Sequence, residues 1–344
     1  MSEHESGEPP EPNEPAGRAD EDTDPWGGVD RTDPFAMPEP TDPKLRAARP
    51  PRPKALRAPQ PLPIVAAGGD EIRDDPSIDE RGKRRRRIRT PDEEPIIQFR
   101  DIHKAFGSLV IYEGLDLDVY AGETLTIIGG SGVGKSVMLK LLIRLLEADK
   151  GKITAWGEDV REMDAKSLLR LRARVAMLFQ GAALFDSMSV AENIKYPLRE
   201  HRWGDEARME ARVAEVLEMV GIPGIQDKKP SELSGGMRKR VGLARSIAME
   251  PEVILYDEPT TGLDPVNVRR INGLILRLQQ QLGVTSIVVT HDMDTVFTVT
   301  DRLALVHEKG IAFTGTPEEA RESDFRYLRE FVQGGSGTLD DEDL

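Results

Sequence analysis

From about residue 95 the chain alternates between short apolar runs and longer amphipathic stretches. IIQFRDI (residues 96–102) has the texture of a half-buried strand, and LVIYEGLDLDVYAG (109–122) alternates in the same way before a turn at Gly122-Glu123. TLTIIGG is a short apolar strand that runs into glycines. VMLKLLIRLLEA, beginning after Ser136, has helical spacing and predicts a helix to about Ala148. A polar helix is expected over 161–175, the strand VAMLF over 175–179, an amphipathic helix over 205–221 and another helix after Ser234. VILYDE and SIVVT read as fully buried strands, with the helical stretch NVRRINGLILRLQQQL between them. Strands alternating with helices predict an α/β fold on a mainly parallel sheet.

The first 92 or so residues have a different texture. They hold 17 of the 25 prolines, many charges and few aromatic residues, so they cannot bury enough apolar surface to offset the entropy of ordering. A disordered extension is expected there, with a flexible acidic tail over 334–344 and a folded domain over 95–333. The extension ends in the basic run Lys83 to Arg87 plus Arg89, which is either a solvated linker or a contact for anionic lipid head groups. The net charge of −14 argues against nucleic acid as a partner, and the absence of cysteine rules out disulfides and thiolate metal sites. The N-terminus does not read as a secretory signal. The most apolar run, Val137 to Leu146, is too short to span a bilayer and carries Lys140 and Arg144.

The glycines after TLTII belong to Gly129-Gly130-Ser131-Gly132-Val133-Gly134-Lys135-Ser136, which fits G-x-x-x-x-G-K-[ST] between a strand and a helix. Glycines let backbone N–H groups approach phosphates, and the helix N-terminus adds partial positive charge. Lys135 can reach the β- and γ-phosphates, and the Ser136 hydroxyl can ligate Mg²⁺. VILYDE delivers Asp257 and Glu258 at the C-terminal end of a strand, where open α/β sheets bind ligands. Asp257 can hold Mg²⁺, directly or through water, and Glu258 is placed to orient and polarise the attacking water. Phosphoryl transfer is mostly positioning and charge neutralisation, so a lysine, a metal and one water-directing carboxylate suffice, and a phosphate loop alone leaves many nucleotide hydrolase families open.

Leu233-Ser234-Gly235-Gly236-Met237 narrows the reading. Ser234 and two glycines opening a helix form a second anion site. The motif resembles the signature of the ATP-binding-cassette (ABC) ATPases, and the other family motifs follow in family order over about residues 96 to 333. By that resemblance Gln180 is the glutamine that senses Mg²⁺ and the membrane partner. Asp264, in Thr261-Gly262-Leu263-Asp264, lies at the dimer interface, and His291 contacts the γ-phosphate. Phe106 falls where the family stacks an aromatic ring on adenine, with an ordinary core or surface phenylalanine as the alternative.

The resemblance implies a P-loop NTPase of the ABC nucleotide-binding type, with an antiparallel β-subdomain and a helical subdomain at roughly 181–245. Two copies are expected to close on two ATP molecules, each held between Gly129–Ser136 of one chain and Ser234–Gly236 of the other. An integral membrane permease is the further partner, which puts the subunit peripherally on the cytoplasmic face of a bacterial inner membrane. Leu184 and Phe185, just after Gln180, are candidates either to pack against that permease or to pack inside the helical subdomain. The wording GGSGVGKSVMLK, FQGAALFDSMSVAENI and SGGMRKRVGLARSIAMEPEVILYDEPTTGLDP resembles the lipid-transport ATPases of the Mla/Mce type, whose lipid-binding components would join the assembly. Alternatives are the ATPase of a small-solute importer, such as one for amino acids, a soluble ABC ATPase of repair or translation, and a non-hydrolysing scaffold. The last is disfavoured because Lys135, Glu258 and His291 are all present.

Overall fold

A computed structural model describes residues 92–332; the extension expected to be disordered and the tail expected to be flexible lie outside the described residues. Two strands open the domain, β1 (Ile97–Phe106) and β2 (Leu109–Val119). β3 (Thr124–Ile128) is buried at every position and leads through the glycine-rich loop into α1 (Lys135–Leu142). β4 (Lys150–Ala155) and β5 (Glu158–Asp159) follow, then α2 (Ala165–Arg174) and β6 (Val175–Leu178). Three helices come next without an intervening strand: α3 (Val190–Glu200), α4 (Glu206–Met219) and α5 (Gly235–Ile247). Alternation resumes with β7 (Val253–Asp257), α6 (Pro265–Leu282), β8 (Thr285–Val289), α7 (Met293–Val299), β9 (Arg302–His307) and β10 (Gly310–Gly315). The short helices α8 (Pro317–Glu322) and α9 (Arg326–Val332) close the described chain.

The strands form two sheets. One is antiparallel, in the order β2-β1-β4-β5, and its alternating burial gives it one packed face. The other is six-stranded, in the order β10-β9-β3-β8-β7-β6, and parallel except for β10 at one edge. β3, β7 and β8 are buried throughout, as expected of parallel strands covered on both faces. One apolar cluster joins the two sheets around α1. A second packs α3, α4, α5 and α6 against the sheet, and a third lies under α8 and α9.

Two helices differ from their predicted extents. α1 ends at Leu142, six residues before Ala148, because Arg144 adopts the left-handed conformation (φ 50°). The freed carbonyls of Ile143 and Arg144 accept from the Arg172 guanidinium, each at 3.1 Å, while Arg144 itself donates to the carbonyls of Val160, Arg161 and Met163. Tertiary hydrogen bonds thus override a helical pattern that continues in the sequence. α2 begins at Ala165 rather than 161, since the Asp164 carboxylate caps it by accepting from the Ser167 N–H at 2.7 Å. Among the described residues no helix is long and apolar enough to cross a membrane.

Candidate active site

The strand order lines up the motifs before any side chain is considered. Parallel neighbours β9-β3-β8-β7-β6 present their C-terminal ends side by side, so the segments that follow them share one edge. After β3 comes the loop Gly129–Lys135; after β8, His291; at the end of β7, Asp257 and Glu258; after β6, Gln180.

The loop turns into α1 through Gly134, which occupies the helix cap at φ 102°, with no side-chain oxygen capping the first turn. No side chain competes for the N–H groups of Lys135 and Ser136, which can meet an anion. The buried Tyr112 hydroxyl donates to the Gly134 carbonyl at 2.5 Å and fixes the turn from the antiparallel sheet; burial pushes its phenol well above the ordinary range. Lys135 folds back over the loop and donates to the carbonyls of Gly129 (2.8 Å) and Gly130 (2.7 Å). Its burial lowers the ammonium pKa, and the negative charges of Glu258 and Asp257 oppose that shift.

Ser136 and Asp257 meet directly, the hydroxyl donating to the carboxylate at 2.5 Å. A hydroxyl and a carboxylate side by side are hard oxygen donors and fit Mg²⁺. Among the described residues no group of three or more His, Asp or Glu side chains could hold an ion unaided, so phosphate and water oxygens would complete the shell. Glu258 is nearly buried, its side chain 12% exposed, and its carboxylate is held between the Thr261 hydroxyl and His291 Nδ1, each at 2.9 Å.

The remaining predicted residues stand apart from this cluster. Phe106 is exposed at the end of β1 with the Lys104 ammonium over its ring, and Gln180 is exposed after β6. Ser234 caps α5 by accepting from the Met237 N–H, and Gly235 and Gly236 form the first turn. Asp264 caps α6, accepting from the N–H groups of Val266 and Asn267, and these bonds hold its carboxyl below the usual range. Among the described residues no hydrogen bond joins Phe106, Gln180 or Ser234 to the Lys135–Glu258 cluster.

Several residues that touch the cluster escape a motif reading. Tyr112 reads as one more apolar position of a strand. Asp292 follows His291 and accepts from the hydroxyls of Thr260 (3.0 Å) and Thr295 (2.7 Å), tying the loop after β7 to α7. Lys239 lies on α5, buried, and donates to the Glu258 carbonyl at 2.9 Å. Spacing does not mark any of them, because the Tyr112–Gly134, Lys239–Glu258 and Thr260–Asp292 contacts join residues 19 to 32 positions apart.

Residues after Gln180 line a separate apolar groove of about 400 Å³, with Phe179, Ala183, Phe185, Tyr196 and Met249 among its walls. Phe185 is exposed there and lies 4.9 Å from the Tyr196 ring, whereas Leu184 turns inward against the helical core. The two apolar residues treated alike in the sequence therefore have opposite environments.

A phosphate loop aligned with a hydroxyl–carboxylate pair and a clamped glutamate defines a P-loop nucleotide hydrolase. Residues 112–261 match the family model described as ABC transporter. The chain is 41% identical over 238 residues to a probable ribonucleotide transport ATP-binding protein, mkl, of Mycobacterium leprae, covering 69% of each chain. It is 38% identical over 241 residues to MlaF, an intermembrane phospholipid transport system ATP-binding protein of Haemophilus influenzae, covering 70% of this chain and 91% of MlaF. Its fold matches a dimeric post-hydrolysis ATP-binding cassette bound to ADP and Pi, with a TM-score of 0.59 and 27% identity over 64% of this chain and 98% of that one. The chain belongs to the ABC transporter family as an ATP-binding ATPase subunit.

Proposed function

We propose that two copies of this subunit close on two ATP molecules and drive a membrane permease that moves phospholipid. The observation that carries the hydrolytic part is the hydrogen-bonded row Lys135, Ser136–Asp257 and Glu258–His291 along one sheet edge. Lys135 and the loop N–H groups bind the phosphates. Ser136, Asp257 and Gln180 would hold Mg²⁺, which neutralises phosphate charge when bound. Glu258 orients the attacking water, and His291 steadies the carboxylate while facing the γ-phosphate. The Ser234–Gly236 turn offers free N–H groups to the nucleotide of the second copy, with Asp264 at the same interface. Phe106, exposed at the end of β1, would stack on the base.

The groove beside Phe185 suits a short amphipathic segment of the permease, which would put the subunit on the cytoplasmic face of the membrane. The relative covered over nine tenths of its length is named for phospholipid transport, and that supports a lipid cargo, with lipid-binding components of Mla/Mce type in the assembly. The mkl name points instead to ribonucleotides.

Purification of the assembled complex from native membranes, with mass spectrometry of its proteins and lipids, decides between them. Copurifying phospholipid and lipid-stimulated ATPase activity are expected. A solute-specific permease with lipid-independent turnover would overturn the cargo. In the same complex Glu258→Gln should retain ATP and slow hydrolysis by about 10²-fold or more, whereas Lys135→Ala should lose ATP affinity. Normal turnover by Glu258→Gln would refute the role given to that carboxylate.

A further inference from the structure

A buried lysine on the helix that begins with Ser234 reaches the backbone of the glutamate that orients water. Glu258 sits at φ 48°, a left-handed conformation that is uncommon for a residue with a Cβ and costs strain. Its N–H donates to the Val289 carbonyl at 2.9 Å, which ties it to β8. Its carbonyl accepts from Lys239 Nζ at 2.9 Å and, at a longer 3.4 Å, from the Thr261 N–H. Lys239 is therefore the side chain that holds the far side of the strained residue.

The lysine is costly to place there. It is 6% exposed, and an ammonium taken out of water needs compensating charge. The compensation comes from Asp257 and Glu258, whose charges raise the Lys239 pKa while burial, the larger effect, lowers it. A polar but neutral side chain would serve simple packing at that point. The position is five residues beyond Ser234, so the turn offered to a second nucleotide and the anchor on Glu258 lie on one rigid element.

We propose that Lys239 is a positioning residue for ATP hydrolysis: it grips the Glu258 carbonyl and so aims the Glu258 carboxylate. This rests on Glu258 being the water-orienting group. Lys239 is assigned no part in holding ATP, because its contact is with the Glu258 carbonyl and not with the Gly129–Ser136 loop. Movement of α5 when a nucleotide docks at its N-terminus is thereby transmitted to the same chain's catalytic carboxylate.

The test measures kcat, KM for ATP, nucleotide affinity and Tm of the complete complex carrying Lys239→Met, Lys239→Gln, Glu258→Gln or the double variant Lys239→Met/Glu258→Gln. Lys239→Met keeps the length and removes the donor; kcat should fall roughly 10- to 100-fold, with KM and affinity within about twofold. Lys239→Gln, which keeps an N–H donor, should recover part of the loss. In the Glu258→Gln background Lys239→Met should cost nothing further, since its effect passes through that carboxylate. Unchanged kcat in Lys239→Met, equal loss of affinity and Tm without rescue by glutamine, or full additivity with Glu258→Gln would each overturn the proposal. A Glu258→Gln complex that turns over normally would instead defeat the role of Glu258, which separates the two failures.

Discussion

At Gly134 and Gly132 the same substitution should have different consequences. Both have positive φ, 102° and 82°, where a side chain is strained. A Cβ on Gly134 would also land 2.3 Å from Ile111 Cγ2 and 3.0 Å from the Tyr112 hydroxyl, while one on Gly132 would meet nothing within 4 Å. Gly132→Ala should therefore cost about 1–2 kcal/mol of backbone strain, and Gly134→Ala clearly more, because the strand under it must move. Urea unfolding of the full chain would show this order; equal losses would mean that strain alone governs the loop. The glycines, Lys135, Ser136 and the Asp257-Glu258 pair are legible in the sequence because phosphate chemistry dictates residue types at fixed spacing. Lys239 is not legible: on a polar helix it looks like any solvated lysine, and its partner is set by how α5 meets β7. Pairing of Ser136 with Asp257 lies between these cases, since the motifs name both residues but only the β3-β8-β7 strand order shows that they meet.

Elements were legible where one environment covers their whole length. β3, β7 and β8 are apolar runs buried on both faces, and α6 carries an unbroken amphipathic pattern to Gly283. β4 escapes notice because its first three residues, Lys150, Gly151 and Lys152, are exposed, so it pairs with β1 without an apolar signal. α1 shows the opposite error, a helical pattern cut short by Arg172 and Arg144. α5 connects more than its sequence implies. Near its end Arg245 donates to the carbonyls of Ala182 and Ala183, each at 2.9 Å, and both alanines are left-handed. That clamp shapes the loop that presents Phe185 to the groove. Phe185→Asp should weaken copurification with the permease at least tenfold and leave ATP affinity unchanged, because the site lies at the sheet edge and not in the groove. Undiminished copurification in a quantitative pull-down would show that the groove is not where the permease binds.

On the scale of the molecule, residues 92–332 contain three apolar clusters that account for both sheets and every described helix. Deleting residues 1–92 should consequently leave ATP affinity and the cooperative unfolding midpoint nearly unchanged, within about 1 kcal/mol, as a titration and a melt of the truncated protein would show. A collapse in stability would mean that the proline-rich segment is part of the fold. α9, at the end of the described residues, is less independent of the site. Tyr327 of α9 stacks on His307, the last residue of β9, with ring centroids 4.3 Å apart, and its hydroxyl lies 3.4 Å from where a Cβ on Gly130 would sit. α9 thus rests against the Gly129–Ser136 loop. A substitution within α9 that displaces the Tyr327 ring would therefore reach the Gly129–Ser136 loop without altering any residue of that motif.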